Sequence, residues 1–106
     1  MFGLTVKERN QLVEELLKEV DAPVTDSYLR YLINSSINSI TRQLNFLLPE
    51  SMVKWFIRNR KHLPSGSIED FKNVVVGIIN KRYDIIYLDE AAEAKVVKRI
   101  LDLVKT

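Results

Sequence analysis

Residues 67–90 read SIEDFKNVVVGIINKRYDIIYLDE, and two folds compete for them. Ser67-Ile68-Glu69-Asp70 has the form of a capping box, in which a serine hydroxyl and an acidic side chain satisfy the first free amides of a helix. Phe71, Val74, Val75, Ile78 and Ile79 follow at i, i+3, i+4, i+7 and i+8, the spacing of one helical face. The rival reading is β. The run Val74 to Ile79 is rich in β-branched side chains, and Gly77 costs a helix about 1 kcal/mol. Residues 83–87 could then return as the second strand of a hairpin across Asn80-Lys81-Arg82. Cap and period agree over the whole stretch, whereas strand preference rests on side-chain type alone. The reading is therefore a helix and an all-α chain, with an α+β fold carrying a hairpin at 74–88 as the alternative.

Working outward, the rest of the chain is helical by the same criteria. Thr5-Val6-Lys7-Glu8 is a capping box ahead of Leu12, Val13, Leu16, Leu17 and Val20, and Asp21-Ala22-Pro23 ends that helix. Thr25 or Asp26 caps a second helix with the stripe Tyr28, Leu29, Leu32, Ile33, Ile37, Ile40 and Leu44. Its polar face turns uncharged at Asn34-Ser35-Ser36 and stays so through Asn38 and Ser39. Such side chains compete for backbone hydrogen bonds, so the sequence leaves open one long helix or a break near Ser35 or Ser36. Pro49 suits the first turn of a third helix, running to Lys61 with Met52, Val53, Phe56 and Ile57 inward. Leu63-Pro64-Ser65-Gly66 is a turn. Asp89 caps a last helix whose stripe is Val96, Val97, Ile100, Leu101 and Val104. The expectation is a compact bundle of five helices, or six if the second breaks, forming one domain over residues 1–106.

Composition excludes several function classes. The chain has 106 residues, of which 46% are hydrophobic and 28% charged, enough apolar surface to offset chain entropy. With no cysteine, a disulfide framework, a thiol nucleophile and thiolate zinc ligation are all absent, and a reducing, cytoplasmic compartment is the expectation. No apolar run approaches the roughly 18 residues of a membrane span, and the amino terminus lacks the basic-then-apolar design of a secretion signal. The start Met1-Phe2-Gly3 is also compatible with one domain cut from a longer protein.

No catalytic constellation appears. His62, the only histidine, stands beside Leu63 and Pro64 without a second ligand at metal-binding spacing. Ser65-Gly66-Ser67 lacks the lysine of a phosphate loop. The carboxylate pairs Glu14-Glu15, Glu69-Asp70 and Asp89-Glu90 are adjacent in sequence, so they point apart on a helix. The expectation is a protein that is not an enzyme and takes no cofactor or metal.

Binding is left, and charge layout is its main clue. Residues 54–61 place Lys54, Arg58, Arg60 and Lys61 around Trp55, a combination suited to a protein hot spot or to phosphates and bases. The bland alternative is a solvated basic face with Trp55 at the core edge. Glu14, Glu15 and Glu19 form an acidic face on the first helix. Two unlike surfaces that attract one another make a head-to-tail contact, which builds filaments or rings. The expected partner is a protein, namely a second copy or a homologous domain. The alternative is a small nucleic-acid-binding regulator, phage-encoded or transcriptional, using residues 54–62.

A compact helical bundle with oppositely charged faces resembles the death-fold superfamily. The run Phe71-Lys-Asn-Val74-Val75-Val-Gly-Ile78-Ile79 through Tyr83-Asp-Ile-Ile86-Tyr-Leu88-Asp-Glu-Ala91-Ala92 is similar to the carboxyl half of bacterial effector-associated adaptor domains. The resemblance implies an adaptor that tethers sensors and effectors of immune or conflict systems by like-with-like contact.

Overall fold

Every described segment of secondary structure is helical. The structure, a computed structural model, describes residues 2–82 and 89–104. Five helices follow in order: α1 (Val6–Glu19), α2 (Asp26–Leu47), α3 (Glu50–Asn59), α4 (Ser65–Arg82) and α5 (Glu90–Leu103). The all-α reading holds. Residues 74–82 lie in α4, so the hairpin alternative fails on its first strand; its second strand and the 83–88 part of the adaptor resemblance lie outside the described residues.

The helix starts follow the cap chemistry at α1, α2 and α5, with Thr25 Oγ1 accepting from the Tyr28 amide at 3.2 Å, and depart from it at α4. Thr5 accepts from the Glu8 amide at 3.1 Å while the Glu8 carboxylate accepts from the Thr5 amide at 2.9 Å. Asp89 accepts from the Ala92 amide at 2.8 Å. At α4, however, the helix begins at Ser65, ahead of the Ser67 box, because the Pro64 carbonyl accepts from the Ser67 and Ile68 amides.

α2 runs unbroken, which corrects the six-helix option. Its short polar side chains bond back onto their own helix: Ser36 Oγ donates to Leu32 O and Thr41 Oγ1 to Ile37 O, each at 2.7 Å, and Asn34 Nδ2 donates to Arg30 O. Arg9 of α1 also donates to the Asn34 carbonyl and, at 2.6 Å, to Asn38 Oδ1. Two members of the uncharged strip, Asn34 and Asn38, thus latch α1 to α2 through Arg9.

α2 and α5 form the centre, each packed on the other and on both α1 and α4. Leu12, Leu16, Ile33, Ile37, Ile40, Leu44, Ile79, Ile100 and Leu101 are fully buried there, each worth about 1.5–3 kcal/mol of transfer free energy. α3 docks by side chains alone: Val53 and Phe56 are buried, and the Phe56 ring stacks on Phe71 of α4 at 4.9 Å. The amino-terminal strand of coil is tied to α2 by a reciprocal amide pair, with Phe2 N donating to Asn45 Oδ1 and Asn45 Nδ2 donating to Phe2 O.

Four side chains expected in the core face outward. Tyr28 is 49% exposed and Met52 41%. In α4 the buried stripe is Ile68, Lys72, Val75, Val76 and Ile79, which leaves Val74 63% and Ile78 39% exposed. The helix is rotated from its expected register because Lys72 belongs to the inner stripe. Its aliphatic stem is buried, and its ammonium reaches the carboxylates of Asp102 and, at 3.6 Å, Glu69.

Candidate protein interaction surface

Ion pairs and hydrogen bonds between helices fix which helix ends share a pole of the molecule. Glu14 pairs with Arg30 at 2.5 Å, Glu19 with Lys95 at 2.5 Å, and Glu15 accepts both guanidinium nitrogens of Arg99 at 2.7 and 3.3 Å. Lys95 also lies 3.7 Å from Glu15. The end of α1, the start of α2 and the start of α5 therefore meet at one pole. At the other, Arg60 donates to the carbonyls of Asp102 and Val104, at 3.2 and 3.0 Å, so α3 lies against the last turn of α5.

The acidic face lies at the first pole, and its carboxylates are largely engaged at home. Arg30, Lys95 and Arg99, the partners of Glu14, Glu15 and Glu19, sit up to 84 residues away, and no spacing rule of a single helix reveals such pairs. Acid in excess of these pairs is supplied by Asp21, Asp26 and Glu90, which are exposed and engage no ion pair among the described residues. A crevice of about 340 Å³ opens between Glu19, Val20, Asp21, Asp89, Ala91 and Ala92. Among the described residues its wall has no serine, threonine, tyrosine or histidine.

The basic segment divides by role. Lys54 is spent on Glu50 one turn back at 3.1 Å, and Arg60 on the α5 carboxyl end, where a cation also meets the negative end of the helix dipole. Arg58 and Lys61 are exposed and unpaired among the described residues. Trp55 is 43% exposed, with its ring 6.0 Å from that of Phe71. It is therefore both core edge and surface. Met52, Trp55, Phe71, Val74 and Ile78 make an apolar strip over α3 and α4 beside these free cations.

A second charge cluster joins α4 to α5. Glu69 bonds Lys98 at 3.2 Å and faces Lys72. The Lys98 hydrogen bond, reinforced by the charges of Lys98 and Lys72, holds the Glu69 carboxyl below its ordinary value of 4.5, against the opposing effect of desolvation. This cluster is a clamp between helices. His62 is exposed at the end of α3, its amide donating to Asn59 O. Among the described residues no three His, Cys, Asp or Glu side chains converge to hold a metal ion, and no helix is long and apolar enough to cross a membrane.

The chain is thus an all-α bundle with separated acidic and basic poles. No protein-family model, curated protein or solved structure matches it.

Proposed function

We propose that the protein is a non-catalytic, homotypic interaction module, an adaptor or recruiting domain, that assembles head to tail. The basic pole of one copy, Arg58 and Lys61 around Trp55 with Lys54 and Arg60 alongside, meets the acidic pole of the next. There Asp21, Asp26 and Glu90 add to the field of Glu14, Glu15 and Glu19. One observation carries this reading: Arg58 and Lys61 lie at one pole of an elongated molecule, with extents of 42 × 27 × 24 Å, and Asp21, Asp26 and Glu90 at the other, all without an ion pair among the described residues, whereas the acidic pole carries one such cation, Lys18, and Asp70 lies apart on α4. Opposite poles cannot meet within one copy, so the attraction is available between copies. The exposed Trp55 supplies the apolar anchor that charge alone lacks. The resemblance of residues 71–92 to effector-associated adaptor domains supports the same reading, in bacterial immune signalling, and the cysteine-free sequence suits a reducing cytoplasm.

The test is cross-complementation. Arg58→Glu/Lys61→Glu disables the basic pole and Asp21→Lys/Glu90→Lys the acidic one; all four side chains are exposed, so both variants fold. Neither alone is expected to assemble head to tail, since its two poles then carry the same sign. Mixed, they should co-assemble, because the intact acidic pole of one meets the intact basic pole of the other and the two reversed poles are again opposite in sign. A mixture whose mass does not rise above that of either variant alone contradicts the proposal. Tight, salt-sensitive binding of a single-stranded oligonucleotide by the wild type, lost in Arg58→Glu/Lys61→Glu, would reassign the basic pole to nucleic acid.

A further inference from the structure

The outer face of α4 carries Asp70, Val74, Gly77 and Lys81 at i, i+4, i+7 and i+11. At about 100° per residue these four fall within an arc of roughly 60° and form one stripe along the helix. All are exposed, and Asp70 and Lys81 engage no ion pair among the described residues. The buried stripe of α4 lies elsewhere, at Ile68, Lys72, Val75, Val76 and Ile79.

Gly77 is the informative member. Inside a helix, glycine costs about 1 kcal/mol relative to alanine. A Cβ added here would meet nothing within 4 Å, so nothing within the described chain requires the gap. A body approaching from outside would gain from it.

We propose that two copies of α4 pair antiparallel through this stripe, about a twofold axis passing between Val75 and Val76. That axis opposes Asp70 of each copy to Lys81 of the other and seats each Val74 over the gap at the other copy's Gly77. Both contacts occur twice, as an isologous interface demands. A parallel pairing would oppose Asp70 to Asp70 and Lys81 to Lys81, so the charges select the antiparallel register. The stripe is its own complement, acid to base and knob to hole, and this is why the occupant is a second copy. Ile78, 39% exposed, adds apolar area at the flank. A single helix crossing buries less than the ~1,200 Å² of a stable dimer, so the contact is weak, in the micromolar range or above. It uses none of the charged residues assigned to either pole and does not depend on the head-to-tail reading; a chain making both contacts would link its head-to-tail strands in pairs.

Sedimentation equilibrium in the Arg58→Glu/Lys61→Glu background, which silences the poles, isolates this contact. The expected result at about 0.1 M salt is a monomer–dimer equilibrium that stops at the dimer. Gly77→Val should abolish it with helix content unchanged by circular dichroism, and Gly77→Ala should raise the melting temperature while weakening the dimer. Asp70→Lys should weaken association roughly tenfold, and Asp70→Lys/Lys81→Asp should restore it. A monomer at millimolar protein, a dimer indifferent to Gly77→Val, or a charge swap that fails to restore would each overturn the proposal.

Discussion

The seam between α1 and α5 and the face of α3 and α4 both carry several charged side chains, yet they use them in opposite ways. Along the seam, Glu15 and Glu19 are matched by Lys95 and Arg99, and the ion pairs cover a fully buried layer of leucine, isoleucine and valine. On the α3–α4 face, Arg58 and Lys61 have no ion-pair partner among the described residues, Trp55, Val74 and Ile78 are exposed, and Gly77 leaves a gap that none of those residues fills. Charge matched over a core stabilises the fold; charge unmatched beside apolar surface is free to select a partner. Residue counts cannot separate the two cases, and pairing can.

Mutations that treat the regions alike should therefore give unlike results. The largest contrast is expected for truncation: Ile100→Ala in the central layer should cost about 2–5 kcal/mol in chemical denaturation, whereas Val74→Ala, on the exposed stripe, should stay within about 0.5 kcal/mol. Equal losses would break the distinction. Charge neutralisation sharpens it. Glu15→Gln gives up the two-point Arg99 bond at a site about a third exposed and should cost about 0.5–1 kcal/mol; Arg58→Gln should leave stability unchanged. The smallest effect is the pH response of Glu69. Its carboxyl titrates lower folded than unfolded, so its contribution is fully present above the ordinary glutamate range and is lost as pH falls through the folded value, below 4.5. Glu69→Gln should flatten the acid limb of the stability curve there, and an unchanged limb would remove Glu69 from the clamp.

Much of the fold was legible because its determinants are local. Both bonds of the Thr5–Glu8 box and the Asp89 cap form as the residue types imply, and the buried stripes of α1, α2 and α5 follow the helical period. α4 misled because it carries two apolar stripes. The rule that charges stay outside selects Phe71, Val74 and Ile78, yet Lys72 lies in the inner stripe with its charge delivered to Asp102 and Glu69 on either side. That choice depends on α5, which no local pattern encodes. The continuity of α2 has the same origin, since Asn34 and Asn38 read as helix breakers until Arg9 is seen to bind them. The basic segment was legible as a cluster, but its division into spent and free cations was not: Arg60 is used by the carboxyl end of α5, 42 to 44 residues further along the chain.

The central claim is that the separated poles drive assembly, and light scattering coupled to size exclusion tests it most directly. Over rising protein concentration at about 0.05 M salt the mass should climb past the dimer. At about 0.5 M salt, where surface charges are screened within a few ångströms, it should fall to monomer and dimer. A mass that stays at 12.3 kDa throughout, or that climbs equally at both salt concentrations, would contradict the account.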